Sequence, residues 1–382
     1  MLQRWALSVL ICTVLTVLDI SHRAPSPSVA RASLLQFSKA NADSTLKSMG
    51  QGYIPMPAKV PAVHASHLLA MPKDHPWSVL AFWFAGSKEA APDVRIAASY
   101  FDKAAGQWSS ARFVLDRQDL ERQLGFGVSR LGNPVAWLDG RGRIHLFVVA
   151  TGMGGWAASR IVHLRQNMPS HHLAQIQFDV QRVLPLSWLW NYSYLVRASA
   201  LPLQDGGMIL PVYFELGKLV PVALRFDAEG VFKGLVRMSH QTHLLQPQIV
   251  PLTESHWLAL MRNSSASRKV DAAYTLDAGE NWQDMPELDQ DNPDSSIAVL
   301  RLAPEMMVLA HNATTHSRSI LDLSVSADGL HWRRALNLAS STEQQEFSYP
   351  SMTWADNSLW VSYTDQRKSI AWQRFAVTPQ RK

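Results

Sequence analysis

The stretch that decides how the chain folds is Thr275-Leu276-Asp277-Ala278-Gly279-Glu280-Asn281-Trp282, preceded by the strand-like Val270-Asp271-Ala272-Ala273-Tyr274. Its form is S/T-x-D-x-G-x-x-W. An Asp two positions before a Gly makes a tight turn, because the carboxylate bonds nearby backbone N–H groups and Gly accepts positive φ. The Trp that follows folds back under the turn and packs between strands. The pattern predicts a β-hairpin with a built-in staple.

A second copy, Leu323-Ser324-Val325-Ser326-Ala327-Asp328-Gly329-Leu330-His331-Trp332, keeps the Gly-x-x-Trp end, with Asp328 beside the Gly and Ala327 at the usual acidic position. The two Trp lie fifty residues apart. A third, looser copy is Tyr100-Phe101-Asp102-Lys103-Ala104-Ala105-Gly106-Gln107-Trp108. One aromatic and one Asp/Gly turn per unit of about 40–50 residues is the pattern of β-propeller blades. Between these turns the chain reads as short apolar runs punctuated by Gly, Pro, Asp and Asn, without a helical period. The expected fold is therefore all-β, a six-bladed β-propeller over residues 54–378. Its units begin near Ala62, Leu131, Val196, Gln248, Ile297 and Tyr349. A strand from around residues 54–60 is expected to close the ring, which leaves only short, protected edges.

The 382 residues are 47% hydrophobic and 18% charged, enough for a well-buried core, and the fourteen Trp suit one aromatic per repeat. The net charge of +5 is modest, and no Lys/Arg run interleaves with aromatics, so nucleic acid is not an expected partner. A mild basic bias suits an anionic sugar. Trp5–Ile20 is an apolar run after Gln3-Arg4 and reads as an export signal or a single membrane anchor; Ser28-Val29-Ala30 favours cleavage. Residues 1–30 are thus expected to be signal or anchor, and 31–53 a linker with a short helix around Leu34–Lys47. The expected location is periplasmic or extracellular, or at the inner membrane if anchored. Cys12 is the only cysteine, which excludes thiolate catalysis and zinc–thiolate sites. His145, His163, His171 and His172 lack metal-site spacing, and no metal or cofactor is expected. Gly152–Gly155 is no phosphate loop, and there is no Gly-x-Ser-x-Gly elbow.

The turns resemble the Asp-box, or BNR repeat, of the sialidase (neuraminidase) superfamily, and the resemblance covers roughly residues 55–378. It implies a glycoside hydrolase in which three Arg from different blades hold a substrate carboxylate. A Tyr assisted by a Glu is the nucleophile, and an Asp on a loop is the acid/base. Guanidinium matches carboxylate through paired hydrogen bonds, and a neutral Tyr escapes the repulsion that an anionic nucleophile meets there. By placement, Arg318 and Arg262 (with Arg268 as nearby competitor) correspond to two of the Arg, and Tyr349 in Ser348-Tyr349-Pro350-Ser351-Met352 to the nucleophile.

The departures matter as much. His64 falls where the first Arg belongs, and Gln246 where the Glu belongs; a Gln orients a hydroxyl but cannot take its proton. Glu89 or Asp93 would be the acid/base. Arg160, Arg197 and Glu215, beside strands of blades two and three, would supply substrate contacts. The resemblance therefore implies a divergent member. The expectation is an exo-α-sialidase-type enzyme acting on a sialic acid-like or other acidic glycan. The alternatives are hydrolysis or lyase chemistry on another ulosonic or uronic acid, and a non-catalytic glycan-binding propeller.

Overall fold

The computed structural model describes residues 2–22, 31–34, 40–342 and 345–379. Six antiparallel sheets surround a common axis, each a meander running outward from its innermost strand. The innermost strands are Ala62–Ala70, Arg130–Leu138, Tyr194–Val196 with Leu201–Pro202, Leu244–Pro251, Ala298–Ala303 and Phe347–Ala355. The second strand is nearly all apolar in several blades, as in Trp77–Gly86 and Ile144–Thr151, because sheets pack on both of its faces. Trp83, Phe82, Phe147, Trp257 and Trp360 are fully buried in these layers.

Ring closure differs from expectation in place. The closing strand is Thr45–Tyr53, inside the segment read as linker, and it pairs antiparallel with Ser369–Thr378. Its sequence, TLKSMGQGY, has no apolar alternation because an outermost strand is mostly exposed. Gly50 and Gly52 lie against the Trp372 ring, where added Cβ atoms would stand 3.2 and 3.4 Å from it. Residues 54–60 are instead the irregular crossing into blade one, with Ile54 buried. The expected helix around Leu34–Lys47 does not form among the described residues, which carry a turn at 42–43 and the start of the strand. A helix spans Leu2–His22, and among the described residues no helix is long and apolar enough to cross a membrane. Ser28-Val29-Ala30 lies outside the described residues.

Two of the repeated turns are built alike. In blade four, Thr275 Oγ1 donates to Asp277 Oδ1 (2.7 Å), the Gly279 N–H donates to Thr275 Oγ1 (3.1 Å), and Trp282 Nε1 donates to the Gly279 carbonyl (3.1 Å). In blade five Ser326, Asp328, Gly329 and Trp332 repeat these bonds at 3.0, 2.8 and 2.8 Å. Asp328 therefore fills the acidic position assigned to Ala327; the turn has lost one residue between Asp and Gly, and all its bonds survive. The Asp102–Trp108 hairpin is different. Asp102 caps Ala105, but Trp108 Nε1 has no partner and its ring packs against Phe101, Trp360 and Trp372 between blades one and six.

The buried histidines are also interior staples. His145 Nδ1 stands 2.8 Å from His163 Nε2, and its Nε2 stands 3.2 Å from Asp139, whose carboxylate caps the inner turn of blade two.

Gly279 sits at φ +89°, and a Cβ there would lie 2.8 Å from the buried Trp257 ring. Gly279→Ala is expected to lower stability by about 1–3 kcal/mol, since both backbone and ring resist. The shift in urea midpoint at constant slope measures it.

Candidate functional site

A strand places successive side chains on opposite faces, so a straight innermost strand aims none of them along the axis. Here a non-glycine residue with positive φ lies early in four of them and shortly ahead of the other two. They are Ala65 (56°), Asn133 (41°), Ser193 (66°), Gln246 (50°), Asp294 (57°) and Tyr349 (54°). In four blades the pairing register slips there: His64 to His67, Gly132 to Val135, Leu245 to Gln248, and Ser348 to Ser351. Bulges of this kind re-aim a side chain at modest cost. Asn133, Gln246 and Tyr349 are each followed by Pro, which has no N–H to leave unpaired where the ladder breaks.

At one end of the axis the bulges assemble a cluster around Tyr349. Its hydroxyl accepts from Gln246 Nε2 (3.3 Å), which also reaches the Tyr213 hydroxyl at 3.4 Å. Gln246 Oε1 accepts from Arg262 Nη1 (3.4 Å), and Arg262 Nε donates to Asp294 Oδ1 (2.6 Å). Arg318 donates to the Asp294 carbonyl and to Glu346 Oε1, both at 3.0 Å. Glu346 also accepts from Ser348 Oγ (2.6 Å) and from Arg367 Nε (2.8 Å). Arg367 in turn pairs with Glu89. The network thus runs from the blade-one loop through blades six, five, four and three.

Arg197 is 2% exposed and donates Nη2 to the carbonyls of Tyr349 (2.7 Å) and Pro350 (2.9 Å), with its guanidinium 5.1 Å from the Tyr349 ring centroid. It fixes the strained peptide rather than facing open space. Burial lowers its pKa to about 10, which leaves it charged at neutral pH. His64 packs its ring on Tyr349 (4.2 Å between centroids), and neither ring nitrogen has a partner. Burial, then the charge of Arg367, push its pKa well below the ordinary value, so it stands neutral where the resemblance implies a cation. Burial also raises Tyr213 and Glu215, the former further through Tyr349 and Glu215, the latter opposed by Arg262 and reinforced by Asp294.

Of the expected residues, Tyr349, Gln246, Arg262, Arg318, His64, Arg197 and Glu89 meet in this cluster, and Glu215 lies within electrostatic reach of Arg262. Arg268 and Arg160 have no bond to it; Arg160 bonds Tyr192 and stacks on Phe126 and Tyr192. Asp93 caps its own loop through Ser87 N (2.9 Å) and Oγ (2.8 Å) and lines a separate cleft of about 540 Å³ with Lys59, Arg95 and Arg117. Four members were not anticipated: Tyr213, Asp294, Glu346 and Arg367. Only Arg367 carried a sequence signal, as a long cation in the hairpin tip Asp365-Gln366-Arg367-Lys368, where φ is +58° and Gly or Asn is usual. Among the described residues no group of three or more His, Cys, Asp or Glu is placed to hold a metal ion.

Burial pushes Glu346 up, but the hydrogen bonds from Arg367 and Ser348 and the charges of Arg367 and Arg318 outweigh it and hold the carboxyl at about 2. A folded value below the ordinary 4.5 means stability fully present above pH 4.5 and lost as pH falls through about 2. Glu346→Gln is expected to cost about 2 kcal/mol at pH 7, with the gap to the parent narrowing as pH falls below 4.5. Urea midpoints of both proteins from pH 7 down to 2.5 measure it.

In fold the chain is similar to a Hadza microbial sialidase (TM-score 0.68, 14% identity, covering 83% of this chain and 66% of that one). It is also similar to the Trypanosoma rangeli sialidase (0.65, 12%, 92% and 60%). A Dyadobacter fermentans protein of unknown function is matched over nearly its whole length (0.65, 12%, 87% and 99%). At such identities these likenesses show the fold alone, and the chain spans about two thirds or less of the length of both sialidases. No curated protein matches the sequence. The family described as BNR repeat-like domain matches residues 78–361, nearly three quarters of the chain, and the chain belongs to that family.

Proposed function

We infer that the protein is a sialidase-type glycoside hydrolase that removes a terminal acidic sugar, with Tyr349 as nucleophile. One observation carries the reading: the Tyr349 hydroxyl, held by Gln246, lies in a wall that also presents Arg262 and Arg318. Guanidinium groups beside a neutral nucleophile suit an anomeric carbon that bears a carboxylate. The Trypanosoma rangeli sialidase, similar in fold, has been solved with 2,3-difluorosialic acid as a covalent intermediate.

In this reading Arg262 and Arg318 hold the carboxylate, and Arg367 takes the place that His64 leaves without charge. Gln246 orients the Tyr349 hydroxyl but cannot accept its proton. In this reading Glu215, on the same strand and face as Tyr213, receives it. Glu89, on the loop after the second strand of blade one and linked to the cluster through Arg367, protonates the leaving oxygen in this reading; Asp93 would serve only if that loop turned it away from Ser87. The N-terminal apolar run fits export of such an enzyme to where glycans are found.

A second reading is favoured by a specific observation: Arg262, Arg318 and Arg367 each already bond a carboxylate of the chain itself. A non-catalytic site that binds glycan hydroxyls through these fixed charges fits that arrangement.

Release of a fluorophore from an α-linked sialoside decides between them. Tyr349→Phe is expected to lower kcat/KM by on the order of 10³-fold or more, with affinity for a non-hydrolysed sialic acid analogue almost unchanged. Analogue binding by both proteins without turnover by either establishes the binding propeller instead.

A further inference from the structure

The axis is also hollow at its other end. Past the bulges, the later halves of the innermost strands enclose a cavity of about 360 Å³ that shares no lining residue with the Tyr349 cluster. Every blade contributes to it, with Leu69, Trp137, Pro202, Ile249, Arg301 and Met352 as representatives. Ser33 and Leu34 complete the lining, fixed by bonds from Ala32 N to the Glu254 carbonyl (2.8 Å) and from Ser33 N to the Pro202 carbonyl (2.9 Å).

The wall is largely apolar, and two buried polar groups in it are unsatisfied. Arg301 is 9% exposed, its Nε has no hydrogen-bond partner, and among the described residues no carboxylate pairs with it. Each cluster arginine on the opposite end is bonded to a carboxylate or to carbonyls, so Arg301 is the exception. His67 Nε2 lies 3.0 Å from the Ala136 carbonyl; a carbonyl only accepts, so Nε2 carries the proton and Nδ1 is a bare buried acceptor. A guanidinium without a counter-charge in an apolar wall is costly, and an anion relieves that cost. The cavity has the size of a small-molecule site.

We propose that this cavity binds a small amphipathic monoanion, a carboxylate on an apolar chain of medium length. The carboxylate pairs with Arg301, and the chain lies along Leu69, Trp137, Ile249 and Met352. A free sugar is a poorer occupant than an apolar chain, because most of the wall is apolar. A two-chain phospholipid is too large for the volume. The site is independent of the sugar chemistry at the other end.

Isothermal titration of the full chain with octanoate tests this, with octanol as the same chain without charge and inorganic phosphate as charge without chain. Octanoate is expected to bind saturably, at least about tenfold tighter than octanol, with phosphate showing no saturable binding. Arg301→Gln is expected to weaken octanoate about tenfold or more while leaving octanol unchanged. Leu69→Trp, which fills the cavity from blade one, is expected to abolish octanoate binding, and it carries the test should Arg301→Gln fail to fold. Octanoate that does not saturate the parent, binds no better than octanol, or is indifferent to both variants overturns the proposal. So does phosphate alone matching octanoate.

Discussion

The alternation of side chains along a β-strand is the constraint on which the rest of this molecule depends. An innermost propeller strand has its own sheet along one edge, the axis along the other and a neighbouring blade against each face, so its side chains are committed to packing. Only a break in step frees a residue toward the axis. The chain makes that break in four blades, at Ala65, Asn133, Gln246 and Tyr349, and in the other two Ser193 and Asp294 take positive φ just ahead of the strand. Each costs on the order of 1–3 kcal/mol, and each persists because the surrounding blades over-determine it. The Tyr349 peptide has a dedicated support in buried Arg197, whose two bonds to consecutive carbonyls resist relaxation of the strand. Removing that support would release the strain at the residue whose position matters most.

Charge is organised by the same logic. Arg262, Arg318 and Arg367 are held by Asp294, Glu346 and Glu89, so the cluster is close to neutral before any ligand enters. The pairing restricts the long guanidinium side chains in advance and lowers the ordering cost of binding. It also sets a competition, because an incoming carboxylate must share donors with Glu346 rather than fill an empty clamp. Neutral His64 packs against the Tyr349 ring without adding to the charge. The fourth cation, Arg197, is turned to the backbone and takes no part in that competition.

The blades were legible because second strands such as Ser78–Phe84 and Ile144–Val149 are apolar runs bounded by turn residues, and because the Asp–Gly–Trp turns recur. Arg262, Arg318 and Tyr349 could be singled out by order and blade, and the fold brings them to one end of the axis. The closing strand Thr45–Tyr53 was not legible, since its place is set by glycines lying under Trp372 and not by any apolar pattern. Asp294, Glu346 and Tyr213 were hidden for a related reason. A carboxylate in a polar loop such as Asn292-Pro293-Asp294-Ser295 looks like any solvated one until the loop's own backbone turns it toward Arg262. Arg160 shows the converse. It sits beside a blade strand like the others, but no bulge carries it to the axis, and it spends its guanidinium on Tyr192 and Phe126.

The bulges also divide the axis into two chemistries. At the bulges Gln246 and Tyr349, with Asp294 in the loop before its strand, build a charged, hydrogen-bonded cluster; behind them Ile249, Leu300 and Met352 line an apolar cavity. A regular strand could not make this change within three or four residues while keeping both faces packed. The inserted residue resets which side chains meet the axis, so each half can be composed without regard to the other. His64 and His67 illustrate it on one strand: the first packs on Tyr349, the second lines the rear cavity, and the slip at Ala65 lies between them. A substitution behind a bulge should therefore leave the geometry ahead of it intact, provided the positive-φ residue itself keeps its conformation.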